Sequence, residues 1–264
     1  MGAERGLLRG SGEKGISQAR KTVVIMQPYF FPYAGYFRLF SLADQFVIFD
    51  CVQFPRRGRV HRTEVEGPGG GMEWLTLPLA RQRQDVLIRD LAFADDARAR
   101  FDQSLARLPW LRGRSGPDAE QIREFLYSPL ASVVDYLEAG LRMVNSLLGI
   151  TTDIIRSSSL YVDPSVRGQQ RVLQIAAACG ASRYLNAPGG RELYDEAAFR
   201  RSGIALEFLP PYHGAFYRLL QSLLMEGPDR IRAELKATVD PSTDGQAIDS
   251  SASTNADSCA RSMR

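Results

Sequence analysis

Short apolar segments alternate with helix-like segments at both ends of this chain, and this alternation constrains the fold more than any other feature. Thr22–Met26 (TVVIM) and Gln45–Phe49 (QFVIF) are continuous runs of β-branched and aromatic residues, as in buried strands. Between them, Gly35–Asp44 carries apolar residues at three- and four-residue spacing, as an amphipathic helix does. This order predicts an α/β fold with a mainly parallel, Rossmann-like sheet.

The same patterns predict the remaining elements. Further strands are expected at Val60–Glu66, Glu73–Leu79, Val86–Phe93, Asp153–Ile155, Arg183–Leu185 and Ile204–Leu209. Helices are expected at Asp95–Leu108, Asp118–Leu126, Pro129–Leu148, Ser165–Cys179, Gly190–Arg201, Phe216–Met225 and Pro228–Lys236. The first two strands of this set flank a glycine-rich turn and should pair antiparallel. The first three helices form a helical insertion in the middle of the chain.

Composition divides the 264 residues into one domain and two flanking segments. Residues 1–20 are rich in Gly, Arg and Ser and are predicted to be a flexible leader. Residues 237–264 have almost no large apolar side chains to offset the entropy of ordering, which predicts a disordered tail. Residues 21–236 are therefore expected to form the α/β domain.

Composition also limits the compartment and the partners. The three cysteines are too few and too scattered for a disulfide framework, which favours a reducing, cytoplasmic setting. No segment approaches the ~20 apolar residues of a membrane span. A net charge of +3 is small for this length and gives little support for nucleic acid as a partner.

Three loops follow predicted strands, where parallel α/β sheets bind ligands. In the first, Gln27–Tyr36, the Gln27 amide can donate and accept hydrogen bonds, and several aromatic residues follow it. These residues could line a pocket, or they could be core packing around a rigid loop. Core packing is the favoured interpretation for Phe30 and Phe31, and both interpretations remain open for Gln27 and Tyr29.

The second loop, Asp50–Arg62, places four arginines and one of the two histidines of the chain within seven residues. The planar guanidinium suits a phosphate or carboxylate, so anion recognition is favoured over a merely solvated basic loop. Nearby positive charge would lower the pKa of a thiol such as that of Cys51, so a nucleophilic cysteine is conceivable. A buried, incidental cysteine is the favoured alternative.

The third loop is Asn186-Ala187-Pro188-Gly189-Gly190, which precedes a predicted helix. Glycines at a helix start expose backbone N–H groups that suit an anion, although the loop could equally need glycine only for flexibility. The spacing matches neither a Walker nor a Rossmann fingerprint. With only His61 and His213 in the chain, no histidine-based metal site is expected, and the cofactor is left open.

Several segments together resemble the WbqC-like family: QPYFFPYAGYF, ADQFVIFDCVQF, RRGRVHR, WLTLP and YLNAPGGRELYD. The resemblance implies a bacterial protein that is often found with O-antigen or other surface-polysaccharide biosynthesis. The recurrent polar positions that the resemblance implies are Gln27, Tyr29, Tyr36, Asp50, Gln53, Arg57, Arg62, Asn186, Gly189, Gly190 and Tyr194. Two departures stand out: the family usually has a second acidic residue at Cys51 and an asparagine-rich segment at 59–63. If these positions are catalytic, the activity or substrate of this chain is altered.

We therefore expect a transferase of bacterial surface-polysaccharide or secondary-metabolite biosynthesis that acts on a small anion, such as a sugar nucleotide or acyl donor. Acyl or aminoacyl transfer to an amino sugar is the first reaction to test. The candidate catalytic residues are Asp50, Tyr29 and His61, and the candidate substrate-binding residues are Gln27, Tyr36, Gln53, Arg57, Arg62, Asn186, Gly189, Gly190 and Tyr194. The alternative is a non-catalytic ligand-binding or scaffolding protein, which the lack of a recognised acid–base or nucleophile pair favours.

Overall fold

The computed structural model describes residues 20–239, and five strands of this region form one parallel sheet. The strands are β1 (Thr22–Met26), β2 (Gln45–Ile48), β3 (Arg62–Glu66), β4 (Met72–Thr76), β5 (Asp153–Arg156), β6 (Arg183–Asn186) and β7 (Ala205–Phe208). The sheet has the order β5-β2-β1-β6-β7, with every neighbouring pair parallel. β3 and β4 form a separate antiparallel hairpin. The predicted α/β, Rossmann-like class is confirmed.

Helices cover both faces of the sheet. In the described region they are α1 (Ala34–Leu42), α2 (Ala97–Ala106), α3 (Pro117–Leu126), α4 (Val133–Leu148), α5 (Gly168–Ala178), α6 (Glu196–Arg201), α7 (Leu219–Met225) and α8 (Pro228–Val239). Short 3-10 helices lie at Ile88–Asp90, Pro109–Arg112, Ser157–Ser159 and Pro188–Leu193. None of the helices within residues 20–239 is long and apolar enough to cross a membrane.

The central strand β1 shows why its sequence is apolar throughout. Val24 and Met26 pack into a large cluster with side chains of α1, α4, α7 and α8. Val23 and Ile25 point to the opposite face, into a smaller cluster with α5 and α6. Because successive side chains of a strand alternate between faces, a strand covered on both sides needs apolar residues at every position.

The helical insertion packs on the loop that follows β1. Phe30 lies edge-on to Phe101 of α2 with ring centroids 6.0 Å apart, and Phe31 lies edge-on to Phe125 of α3 at 5.8 Å. Both loop residues are buried, so the core-packing interpretation is correct for them. The insertion therefore fixes the course of the chain between β1 and α1.

Several predicted boundaries are wrong. Val86–Phe93 is not a strand; it contains the 3-10 helix at Ile88–Asp90, because backbone groups there bond to the Asp50–Phe54 loop instead of a sheet. The helix predicted at Gly190–Arg201 is a 3-10 helix followed by α6, whose start is set by Asp195 capping Ala197 N–H at 2.9 Å.

The C-terminal end of the domain also differs from the prediction. α8 continues to Val239, so residues 237–239, which were predicted to belong to the tail, are helical. The rest of the predicted tail, residues 240–264, and residues 1–19 of the predicted leader lie outside the described residues.

Candidate functional site

The strand order creates a topological switch point between β1 and β6. From β1 the chain builds β2 and β5 on one side, then returns to add β6 and β7 on the other. The β1–β6 register pairs Thr22 with Arg183 and Val23 with Tyr184, near the amino ends of both strands. In open parallel sheets, ligands bind beyond the carboxyl ends of the strands at such a switch point. Gln27 leaves β1, and Asn186 ends β6, at this edge.

Gln27 is buried at this carboxyl edge of the sheet. Its residue is 1% exposed, and its backbone carbonyl accepts a hydrogen bond from the Tyr36 hydroxyl at 2.7 Å. The rings of Tyr29 and Tyr36 lie 5.4 Å apart at their centroids. The structure therefore brings together these three residues, which were predicted from one loop, and Tyr36 fixes the backbone at the end of β1.

Asp50 leaves β2 and is completely buried. Its Oδ1 accepts hydrogen bonds from Ser157 Oγ at 2.8 Å and from the Ser158 N–H at 2.9 Å, and its Oδ2 accepts one from Ser158 Oγ. These serines follow β5, so the carboxylate joins the carboxyl ends of two adjacent strands. Sequence reasoning missed both serines, although the Ser-Ser-Ser run after a strand was a visible signal.

Cys51 belongs to the same network. Its residue is 8% exposed, and its Sγ lies 3.0 Å from Ser157 Oγ. Ser157 Oγ is the donor in this contact, so its one proton is shared between Asp50 Oδ1 and Cys51 Sγ. This arrangement matches the expectation of a buried thiol.

Arg171 of α5 is a second residue that sequence reasoning missed. It is 6% exposed and donates from Nη1 to the Cys51 carbonyl at 2.7 Å and from Nε to the Val166 carbonyl at 2.8 Å. Its Nη2 donates to the carbonyls of Asp163 and Pro164 at 3.2 and 3.1 Å. The guanidinium thus holds the loop before α5 against the loop after β2.

Most arginines of the second loop are engaged by the protein itself. Arg59 pairs with Glu64 at 2.6 Å, and Arg56 donates to the Gln82 carbonyl at 2.6 Å. Arg62 donates to the carbonyl of Gly58 at 3.1 Å. These bonds tie the loop to itself, to β3 and to the Gln82 segment, which the basic composition alone did not indicate.

Two predicted anion-binding arginines therefore differ in their environment. Arg62 also lies over the ring of Trp74 on β4, with 4.3 Å from its Cζ to the ring centroid. Arg57 is exposed, and within residues 20–239 its side chain forms no ion pair or hydrogen bond. Gln53 is exposed as well and donates to the Gln84 carbonyl at 2.8 Å. Of these residues, Arg57 presents the most available charge.

His61 is partly buried in the same loop. Its ring lies edge-on to Phe54 with centroids 5.0 Å apart, and its Nδ1 is buried without a hydrogen-bond partner. Burial, and to a smaller extent the neighbouring charge of Arg62, lowers the pKa of His61 to about 4. The imidazole is therefore neutral at pH 7.

Asn186 and Gly190 form the β6 side of the switch point. Asn186 is 1% exposed; its Oδ1 accepts the Ala187 N–H at 2.7 Å, and its Nδ2 is buried without a hydrogen-bond partner. A Cβ atom on Gly190 would lie 2.6 Å from this Nδ2 and 3.4 Å from Tyr194 Cε2. Gly189 and Gly190 lie within the 3-10 helix Pro188–Leu193, so the expected α-helix start is absent there. The missing side chain instead lets the Gly190 backbone pack against a buried amide donor.

A pocket of about 470 Å³ lies at the opposite edge of the sheet. It is lined by residues that precede β2 and β5, including Asp44 and Thr152, and by Arg232 and Lys236 of α8. None of the predicted site residues lines it. We place the candidate site at the carboxyl edge, because the topological argument and the unpartnered amide of Asn186 coincide there.

Comparison with known proteins identifies a family but no activity. The model of the WbqC-like protein family matches residues 27–222. The chain is 25% identical over 199 residues to the uncharacterized protein Rv1507c of Mycobacterium tuberculosis (strain ATCC 25618 / H37Rv), covering 68% of this chain and 78% of that protein. No solved structure matches the chain. The matched region includes every candidate residue at the carboxyl edge.

Proposed function

The chain belongs to the WbqC-like protein family, and from this premise we propose that it is a transferase acting on a small anionic substrate at the carboxyl edge of its sheet. The proposed substrate class is a sugar nucleotide or an acyl donor. The proposed reaction is transfer of an acyl or aminoacyl group to an amino sugar, within bacterial surface-polysaccharide or secondary-metabolite biosynthesis.

The observation that carries the proposal is the pairing of Asn186 with Gly190. A buried amide N–H2 without a partner costs free energy, so such a donor is expected where a ligand or water completes its bonds. Gly190, which has no Cβ, packs closely against this donor, and both lie at the switch point between β1 and β6. Gln27, which follows β1, is buried at the same edge.

The remaining candidate residues can be assigned roles on this basis. Arg57, which is exposed, would attract the charged part of the substrate. Tyr29 would contact a ring or a hydroxyl group. Asp50 would act as general base or orient the acceptor only if Ser158 moves away, since its hydroxyl bonds Asp50 Oδ2. His61, neutral at pH 7, could accept a proton but with a low pKa it is a weak base.

A non-catalytic binding function is the second candidate. The specific observation that favours it is the Asp50 carboxylate, which is fully buried and bonded by two serines. A carboxylate held in this way stabilises the strand ends without any substrate. A binding or scaffolding protein of a biosynthetic pathway would use the same edge for recognition and would not turn over its ligand.

Mass spectrometry of reactions with sugar nucleotides and acyl donors tests the proposal. We expect an acylated product with the wild type and a large loss with Gly190→Ala, whose methyl would overlap the Asn186 amide. Gly69→Ala is the matched control, because a Cβ there meets nothing within 4 Å. Ligand-induced stabilisation without product would support the binding protein. No product and no stabilisation across the panel would contradict both functions.

A further inference from the structure

We propose that Arg38 of α1 binds the anionic group of the ligand, a phosphate or a carboxylate. The proposal rests on the proposed function, because it assigns a residue to the charged part of that substrate. Nothing in the sequence patterns singled out Arg38, which lies in a helix among aromatic and aliphatic residues.

Arg38 is a buried cation with no acidic partner in the part of the chain that the structure describes. The residue is 4% exposed, and its Nη1 donates to the carbonyls of Pro210 and Pro211 at 3.1 and 3.5 Å. Its Nε is buried without a hydrogen-bond partner, and within residues 20–239 it forms no ion pair. Taking a charge out of water is unfavourable unless a counter-charge and hydrogen bonds compensate it. For Arg38, hydrogen bonds to two carbonyls compensate the buried charge only in part.

Arg171 shows how a structural buried arginine is satisfied in the same protein. All three of its nitrogens donate to backbone carbonyls, four in total. Arg38 differs because both of its carbonyl acceptors bind Nη1, and neither Nε nor Nη2 forms a hydrogen bond within residues 20–239. An anion could accept two parallel hydrogen bonds from this fork.

Among residues 20–239, no carboxylate pairs with Arg38. Burial lowers the pKa of Arg38, and the nearby Tyr33 and Tyr212 raise it in part. The carboxylate that reaches this loop, Glu234, bonds the Tyr212 hydroxyl and the Ala215 N–H instead. Both of its oxygens are therefore engaged away from the guanidinium.

Arg38 also belongs to the carboxyl edge of the sheet. α1 begins directly after the loop that follows β1, so Arg38 lies one turn from its start. Its acceptors Pro210 and Pro211 follow Leu209, whose N–H donates to the Asn186 carbonyl at 2.9 Å. Residues 209–218 form no helix or strand, so Arg38 is covered by a loop, whose Leu209, Tyr212 and Phe216 side chains are buried.

Thermal unfolding in inorganic phosphate and in acetate, each compared with sodium chloride at equal ionic strength, tests the proposal. We expect at least one anion to raise the Tm of the wild type in a saturable way. Phosphate alone would indicate a phosphoryl group and acetate alone a carboxylate. The control Arg200→Met removes an exposed arginine that pairs with Glu196 and should respond as the wild type does. Arg38→Met should lose the response.

The stability of the variants without anion gives an independent readout. Arg38→Met should be at least as stable as the wild type, since it removes an uncompensated charge, whereas a structural role would make it less stable. If Arg38→Met does not fold, Arg38→Lys should need about tenfold more anion, because lysine lacks the planar fork. A wild type that ignores both anions, or an Arg38 variant with an undiminished response, would overturn the proposal.

These results are distinct from those for the proposed function. An Arg38-dependent response with no product from any sugar nucleotide or acyl donor would refute the transferase and leave the anion site intact. Product formation together with an undiminished response of Arg38→Met would refute only the role of Arg38.

Discussion

Ser157 joins the carboxyl ends of β5 and β2 by donating from its Oγ to Asp50 Oδ1 over 2.8 Å. The same Oγ accepts the backbone N–H groups of Asp50 and Cys51 at 3.2 and 3.3 Å. One hydroxyl therefore serves the side chain and the backbone at the end of β2. Asp50 is predicted to stabilise the fold whether or not it also takes part in a reaction.

Asp50→Asn is expected to lower the free energy of unfolding by about 1–3 kcal/mol. The new amide would present a donor where serine groups already donate, leaving buried polar atoms without partners. Urea denaturation measures the effect. Ser159→Ala is the control, since its hydroxyl bonds a carbonyl at the exposed surface and its loss should cost little. An unchanged midpoint for Asp50→Asn would rule out the structural role.

Arg171→Met is expected to destabilise the protein by about 2–3 kcal/mol, because four carbonyls lose a charged donor. Chemical denaturation of this variant can be compared with that of Arg200→Met, where an exposed pair is lost. We expect the exposed pair to contribute no more than about 1 kcal/mol. Equal stabilities of the two variants would show that Arg171 does not hold its loop.

Gly35→Ala is expected to destabilise the protein, although helices usually prefer alanine to glycine. Alanine is favoured over glycine by about 1 kcal/mol inside helices. At this position the Cβ would lie 2.6 Å from Tyr212 Cγ and would overlap the ring of Tyr33. We expect the overlap to dominate and the variant to be destabilised by about 1–3 kcal/mol. Differential scanning calorimetry checks the sign, with Gly69→Ala as the unobstructed control, and a higher Tm for Gly35→Ala would contradict the packing.

The lowered pKa of His61 makes stability depend on pH. The pKa is about 4 in the folded protein against an ordinary value of 6.5, so below pH 6.5 the unfolded chain binds the proton more readily. The contribution is present above pH 6.5 and is lost as the pH falls toward 4. Urea midpoints measured from pH 7 to pH 4.5 should fall less steeply for His61→Gln than for the wild type. A His61→Gln curve that runs parallel to the wild-type curve would contradict the buried imidazole.

The fold could be predicted from the sequence because a strand that is buried on both faces is apolar at nearly every position. β1 is Thr22–Met26 as predicted, and β2 ends one residue earlier than predicted. Val86–Phe93 carries similar apolar residues, but its backbone groups bond to the Asp50–Phe54 loop, so it does not join the parallel sheet. Local pattern predicts that a segment is buried, but it does not predict its hydrogen-bond partner.

The candidate site, too, could be predicted from the sequence only in part. The sequence by itself determined a parallel sheet, the three polar loops at its carboxyl edge and the family to which the chain belongs. Only the tertiary structure decided that Asp50 is bonded by serines more than 100 residues away and that Arg59 and Arg62 are engaged within their own region. It also decided that no acid of residues 20–239 pairs with Arg38. The reason is that residue type sets which bonds a side chain can form, whereas packing of distant segments sets which of those bonds are left open.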